Sequence, residues 1–158
     1  MRLDGLLVRE AQLEDYNDLI ALEQKVIDAE RPFNVSLKDH SAHYYDIEEL
    51  ISGQSNRLLL GEILGVVIAT GYLQIRESKL SLTHNSHGYL GFMYVAEDYR
   101  GLGLNKIILK NLVHWGQSQG VADFYLDVYA ENSSAVRAYQ KFGFEGSLLE
   151  MKFTARSN

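Results

Sequence analysis

The chain has 158 residues, enough for one sizeable core, and its 46% hydrophobic and 23% charged content is that of an ordinary folded protein. It contains no cysteine, which excludes disulfides, thiolate-bound metal and a cysteine nucleophile. A formal net charge of −6 argues against nucleic acid and anionic membrane as main partners.

Residues 1–11 carry no long apolar core, so no signal peptide is expected. The longest nearly uncharged stretch, 63–75, is too short and too interrupted by glycine to span a bilayer. These features fit a cytoplasmic protein. No repeat, low-complexity tract or linker divides the sequence, so 1–158 reads as a single domain.

In chain order, residues 6–11 (LLVREA) predict a short strand. Leu19, Ile20, Leu22, Val26 and Ile27 recur at helical spacing within 13–30, and RPFN at 31–34, with the chain's only proline, ends that helix. A shorter helix is expected over 44–51, closed near Gly53. RLLLGEI and GVVIATGYLQI are aliphatic runs on either side of a tight turn and predict a hairpin. A polar loop, 77–87, leads to a strand over 88–95 (GYLGFMYV). The clearest helix is 104–118, with Leu104, Ile107, Ile108, Leu112 and Trp115 on one stripe. DFYLDVY (123–129) alternates as a strand does. NSSAVRAYQKFGF then gives a helix with a polar N-cap region and a glycine stop at Gly143. Residues 144–153 predict one or two terminal strands. The order β-α-α-β-β-β-α-β-α-β is that of an α/β protein with helices on a mixed sheet.

The segment YRGLGLNKIIL (99–109) places Arg100, Gly101 and Gly103 between a strand and a helix. A helix N-terminus offers unpaired N–H groups and about half a positive charge, which suits an anion. Glycines without Cβ let a phosphate approach the backbone, and arginine adds a bidentate cation. The same residues also fit a plain strand-to-helix turn. The P-loop spacing is absent, and a dinucleotide fingerprint fails at its third glycine, where Lys106 stands.

The segment resembles the GNAT N-acetyltransferase family, whose acetyl-CoA motif is Q/R-x-x-G-x-G/A; here it spans Arg100, Gly101, Leu102, Gly103, Leu104 and Asn105. A second family pattern, N-x-x-A-x-x-x-Y-x-x-x-G-F, falls on Asn132, Ala135, Tyr139, Gly143 and Phe144. Asn105 departs from the family's glycine or alanine. Its side chain would crowd the phosphate, pack on a neighbouring strand, or donate to the ligand.

The resemblance implies a mixed, mostly antiparallel sheet with helices on both faces and with fourth and fifth strands that splay beside a bulge. It implies direct transfer of acetyl from acetyl-CoA, as cosubstrate and without metal, to a primary amine of a small molecule or peptide. Backbone around Met93, Tyr94 and Val95 would pair with pantetheine, with an N–H near Tyr94 polarising the thioester carbonyl. The amides from Gly101 to Lys106, with Arg100, would take the diphosphate. Asn132 would meet the pantetheine arm, flanked by the helix from Ser134 and Ala135. Tyr139 would protonate the departing thiolate; by pattern alone it is also a core tyrosine on the Ala135–Phe142 stripe.

No acid stands on the predicted fourth strand to serve as base. Glu62, His87, Asp127 and Glu150 are substitutes among which the sequence does not choose. Segments 30–46 and 81–87 would border the acceptor, with Phe33, Tyr44, Tyr45 and Tyr72 as pocket-lining aromatics. His40, His43, His84 and His87 lack a third ligand at metal-binding spacing. Family members often pair through terminal strands, but no residue here fixes a homodimer. An alternative reading keeps the same fold as a catalytically weak acyl-CoA sensor.

Overall fold

The computed structural model describes residues 2–157, which fall into two compact units that meet in sequence between Asp127 and Val128. The first is built on five strands: β1 (Leu7–Glu10), β2 (Asn56–Ile63), β3 (Val66–Glu77), β4 (Ser86–Val95) and β5 (Phe124–Leu126), in that spatial order. Neighbours run antiparallel except β4 and β5, which are parallel. The unit also carries α1 (Tyr16–Glu30), α2 (Ile47–Ser52) and α3 (Leu104–Ser118).

Strand alternation divides the core into two layers. Leu58, Leu60, Tyr72 and Phe92 bury one sheet face against Leu19, Leu22 and Val26 of α1 and Ile47 and Leu50 of α2. On the other face, Cβ atoms built on Gly61, Gly71 and Gly116 would meet, respectively, Leu104, Ile108 and Phe124. Glycine at these positions lets α3 lie close against the sheet.

Local chemistry moves several predicted boundaries. A short 3-10 turn at Leu13–Asp15 precedes α1, so the predicted 13–30 helix starts regularly at Tyr16. The second helix begins at Ile47 rather than 44, because the Asp46 carboxylate caps it by accepting from the Glu49 N–H at 3.1 Å. Glu23, fully buried on α1, accepts from the Tyr44 and Tyr45 amides at 2.7 and 3.0 Å and lies 3.1 Å from His43 Nδ1. Residues 43–45 are thereby tied to α1 instead of joining α2. β5 is shorter than the predicted 123–129, because its pairing with β4 stops at Leu90–Leu126.

The second unit contains α4 (Ser133–Phe142). The Asn132 side chain caps its start, accepting from Ala135 N at 3.3 Å. At its end Gly143 takes φ 127°, and the Gly143 and Phe144 N–H groups both donate to the Tyr139 carbonyl. The predicted terminal strands at 144–153 are not formed. Leu149, Met151 and Phe153 alternate with polar residues as a strand would, yet a strand needs a hydrogen-bonding neighbour and no described strand provides one.

Arg9 on β1 binds both Asp15, at 2.8 Å, and Glu62, at 2.8 Å. The Arg9 hydrogen bond holds the Asp15 carboxyl below its ordinary range despite burial. The pair therefore stabilises the fold above the unfolded carboxylate pKa of about 4 and loses that contribution as pH falls through the depressed value. Asp15→Asn should lower stability by about 1–3 kcal/mol at pH 7. Urea titrations should find this difference shrinking as the pH falls below 4.

Candidate active site

The site begins at an interruption in the central sheet. Thr70 pairs with Tyr94 and Tyr72 with Gly91, so Phe92 and Met93 of β4 face Gly71 alone. This is a β-bulge, and Phe92 adopts φ 52°, a left-handed conformation rare for a bulky residue. Three contacts hold it. The buried Thr70 hydroxyl donates to the Phe92 carbonyl at 2.7 Å. The Tyr45 ring stacks on Phe92 at 4.5 Å between centroids. Met93 packs toward α3, with its sulfur 2.7 Å from where a Gly71 Cβ would lie.

Beyond Leu90 no described strand pairs with the outer edge of β4, so β4 and β5 part where the bulge starts. Splayed fourth and fifth strands beside a bulge were the expectation from sequence. Tyr94 and Val95 continue this unpaired edge; Tyr94 also packs against the α1–α2 core.

The chain leaves β4 through a turn at Glu97–Tyr99 and reaches the glycine loop. Arg100 Nε donates to the Val95 carbonyl at 3.1 Å, linking loop to strand. Gly101 and Gly103 have φ values of 77° and 81°, and Gly103 is the N-cap of α3 without a side-chain cap. The N–H groups from Gly101 to Lys106 meet no acceptor among the described residues; the first helical bond onto the loop is Ile107 N–H to Gly103 O, at 3.1 Å. A Cβ on either glycine would meet nothing within 4 Å, so the surface above the loop is open. Leu104 buries its side chain in the core, leaving its amide for the loop, while Leu102 and Lys106 are exposed and Asn105 is half-buried. These open donors fit an anionic group.

Of the second unit's predicted residues, Asn132 caps α4, Ser134 is exposed on its first turn and Ala135 is half-buried. Tyr139 is half-buried, its ring 5.9 Å from Phe144 in an edge contact.

On the α1–α2 face, Tyr45, Tyr72 and Tyr89 form a row beside the bulge, with centroid spacings of 5.9 and 6.4 Å. The Tyr72 ring lies across Gly91, its hydroxyl 2.5 Å from the position a Cβ would take. Tyr89 donates to Asp127 Oδ2 at 2.7 Å, and the Arg76 guanidinium lies 3.9 Å from the Tyr89 ring centre. Burial raises all three phenols above the ordinary tyrosine value; for Tyr89 the Asp127 hydrogen bond adds to it. These hydroxyls therefore keep their protons at neutral pH.

The proposed base substitutes are differently occupied. Glu62 is tied to Arg9, and Glu150 is exposed in the second unit. The Ser78 hydroxyl lies 3.0 Å from His87 Nδ1 and 2.6 Å from His84 Nδ1, and His84 Nε2 lies 2.9 Å from the Tyr125 hydroxyl. Burial, with His84 nearby, lowers the His87 pKa. His87 stands five residues before the bulge, about 16 Å along an extended strand. Among the described residues no group of three or more histidines and acids is gathered for a metal. No helix among them is long and apolar enough to cross a membrane.

The model of the Acetyltransferase (GNAT) family matches residues 23–144. The chain belongs to the GNAT acetyltransferase family. Its fold is also that of solved members and relatives. A tetramutant of the BH1408 protein of Bacillus halodurans has a TM-score of 0.83 at 21% identity, covering 94% of this chain and 99% of that one. A "predicted acetyltransferase" of Clostridium acetobutylicum, solved with acetyl-CoA, has a TM-score of 0.73 at 18% identity, covering 93% and 96%. In sequence, 62 residues are 36% identical to spermine/spermidine N(1)-acetyltransferase of Bacillus subtilis, 39% of this chain and 41% of that protein. The chain thus matches less than half the length of that curated relative.

Within this GNAT chain the sequence reading missed the Thr70 clip on Phe92 and the packing roles of Gly71 and Gly91. A glycine inside an apolar strand was the available signal for both glycines. Of the pocket-lining aromatics expected from sequence, Tyr44, Tyr45 and Tyr72 come together.

Thr70→Val leaves the buried Phe92 carbonyl without its hydroxyl donor and should lower stability by about 1–3 kcal/mol. Gly71→Ala drives a methyl into Ile108 and Met93 and should cost a similar amount, about 1–3 kcal/mol. Denaturant midpoints check both, and an unchanged midpoint for either would count against its role in holding the bulge.

Proposed function

We propose that residues 1–158 act as one acetyl-CoA-dependent N-acetyltransferase domain that moves the acetyl group directly onto a primary amine. The observation that carries this reading is the placing of two sets of open backbone donors on one continuous segment. The unpaired edge of β4 at Met93, Tyr94 and Val95 supplies one, and the loop and first turn of α3 supply the other.

The roles follow from these donors. Amides from Gly101 to Lys106 bind the diphosphate, with Arg100 as the adjoining cation. Gly101 and Gly103 hold the loop at positive φ, and their lack of Cβ leaves room for phosphate oxygens. The free edge of β4 pairs with the amide-bearing pantetheine arm as an added strand. An amide at the bulge, near Tyr94, donates to the thioester oxygen and stabilises the charge it gains during attack. Asn132, Ser134 and Ala135 are assigned to the pantetheine arm, and Tyr139 to protonation of the leaving thiolate, by the motif they occupy. The Clostridium acetobutylicum relative solved with acetyl-CoA supports the choice of cosubstrate. The Bacillus subtilis relative supports an amine acceptor and makes polyamines the first compounds to try.

Isothermal titration with acetyl-CoA and a transfer assay across spermidine, kanamycin and an alanyl peptide test the reading. Arg100→Ala should weaken acetyl-CoA binding by about tenfold. Tyr139→Phe should leave that binding unchanged and lower kcat by about 100-fold. Full turnover in the phenylalanine variant would remove Tyr139 from the chemistry. Absence of acetyl-CoA binding by folded wild-type protein would end the proposal.

A further inference from the structure

We infer that Glu23 is a positioning residue of acyl transfer: from α1, and through the ring of Tyr45, its carboxyl group sets where the bulge holds the amide that meets the thioester oxygen. The inference rests on the acyl-transfer reading above and adds to it a residue remote from the reacting atoms.

α1 buries Leu19, Leu22, Glu23, Val26 and Ile27. Four of these are apolar; Glu23 is the exception, a carboxyl group at 0% exposure. Burying such a group is costly unless hydrogen bonds replace water, and here they do. One oxygen, Oε1, accepts from both the Tyr44 and the Tyr45 N–H, at 2.7 and 3.0 Å. The other, Oε2, lies 3.1 Å from His43 Nδ1, whose ring reaches the surface. Residues 42–46 belong to no helix or strand, so bonds of this kind set their position. A buried polar group held this way adds little net stability over an apolar one, but it admits a single arrangement of the backbone it binds.

The residue so fixed is Tyr45. Its ring lies 4.5 Å from that of Phe92, with 14° between the planes. Edge contacts with Tyr44 and Tyr72, at 5.7 and 5.9 Å, brace it from the sides. Phe92 is the bulge residue with φ 52°, a conformation that persists only while its surroundings hold it. Thr70 holds its carbonyl at 2.7 Å, and Tyr45 holds its ring. Without Oε1 the Tyr44 and Tyr45 amides must seek water, and the Tyr45 ring moves with them. Phe92 then relaxes toward ordinary strand geometry, which turns the peptides after it. An amide that serves the charge developing on the thioester oxygen loses its aim, and this costs turnover rather than coenzyme affinity. The glycine loop assigned to the diphosphate makes none of these contacts.

The test measures kcat at saturating acetyl-CoA and amine for full-length wild type, Glu23→Met, Glu23→Gln, Tyr45→Leu and the Glu23→Met/Tyr45→Leu double variant. The amine is the best wild-type acceptor among spermidine, kanamycin and an alanyl peptide, and circular dichroism confirms folding at the assay temperature. Methionine keeps the bulk of Glu23 and removes both acceptors. Glu23→Met should lower kcat by about 30-fold while acetyl-CoA affinity stays within about twofold. Glu23→Gln should restore kcat to within about threefold of wild type, because one amide oxygen can accept both N–H groups as Oε1 does. Tyr45→Leu should lose about 30-fold, and the double variant no more than about 100-fold, where independent roles would multiply to about 1000-fold. A residue that only stabilised the fold would lower the denaturant midpoint and leave the kcat of folded protein unchanged. If Glu23→Met does not fold, Glu23→Asp takes its place with the same expectations, since its shorter side chain draws the carboxyl group back from the amides. Losses that multiply, a glutamine variant as slow as the methionine one, wild-type kcat in the folded Glu23 variant, or an equal loss of acetyl-CoA affinity would each overturn the inference alone. A wild-type protein that acetylates none of the three amines overturns the earlier reading, and this inference falls with it.

Discussion

Phe92 and Met93 of β4 face one residue of β3, and the site depends on that single mismatch. An uninterrupted β4 would continue its hydrogen bonds to β5 and close the centre of the sheet. The extra residue bends β4, ends its pairing with β5 and leaves donors and acceptors unpaired beside the core. A left-handed φ at phenylalanine is strained, so the surroundings must hold it. Thr70 clips the carbonyl, Tyr45 covers the ring, and Gly71 and Gly91 clear space on opposite faces. Glu23 extends this support to α1: by binding the Tyr44 and Tyr45 amides it fixes the segment that brings Tyr45 onto Phe92.

The same continuous segment then supplies a local positive site on an acidic protein. The net charge of −6 would repel a polyanion at long range, yet the glycine loop presents unpaired N–H groups at the helix N-terminus. Fixed backbone dipoles act at contact distance and carry no net charge, so an anion can be held there in spite of the acidic surroundings. Asp127 lies on the face that carries Tyr72 and Tyr89, whereas the open N–H groups belong to the α3 loop.

Much of this was legible in the residues. The 104–118 helix agrees with its apolar stripe at both ends, and the glycine stop at Gly143 holds because φ 127° is costly for other residues. The loop RGLG fitted either a plain turn or a set of open amides, and its N–H groups are open because positive φ at Gly101 and Gly103 leads into α3 without a side-chain cap. The bulge was expected only through family resemblance, because GYLGFMYV is apolar and aromatic along its whole length and shows no break in period. Thr70 and Glu23 were hidden for another reason: each acts on backbone groups 20 or more residues away, and such pairing leaves no local pattern. The LLEMKF run shows the opposite failure. Its alternation is that of a strand, but strand formation belongs to a pair of segments, and no described segment takes the second place.

The most direct test of the central claim follows backbone amides of the intact protein by nitrogen-15 NMR during titration with coenzyme A and, separately, with pantetheine, which lacks the diphosphate. The account predicts that coenzyme A moves the resonances of Leu102 to Lys106 together with those of Met93 to Val95, whereas pantetheine moves only the Met93 to Val95 group. Saturable coenzyme A binding that leaves Leu102 to Lys106 unshifted would contradict it.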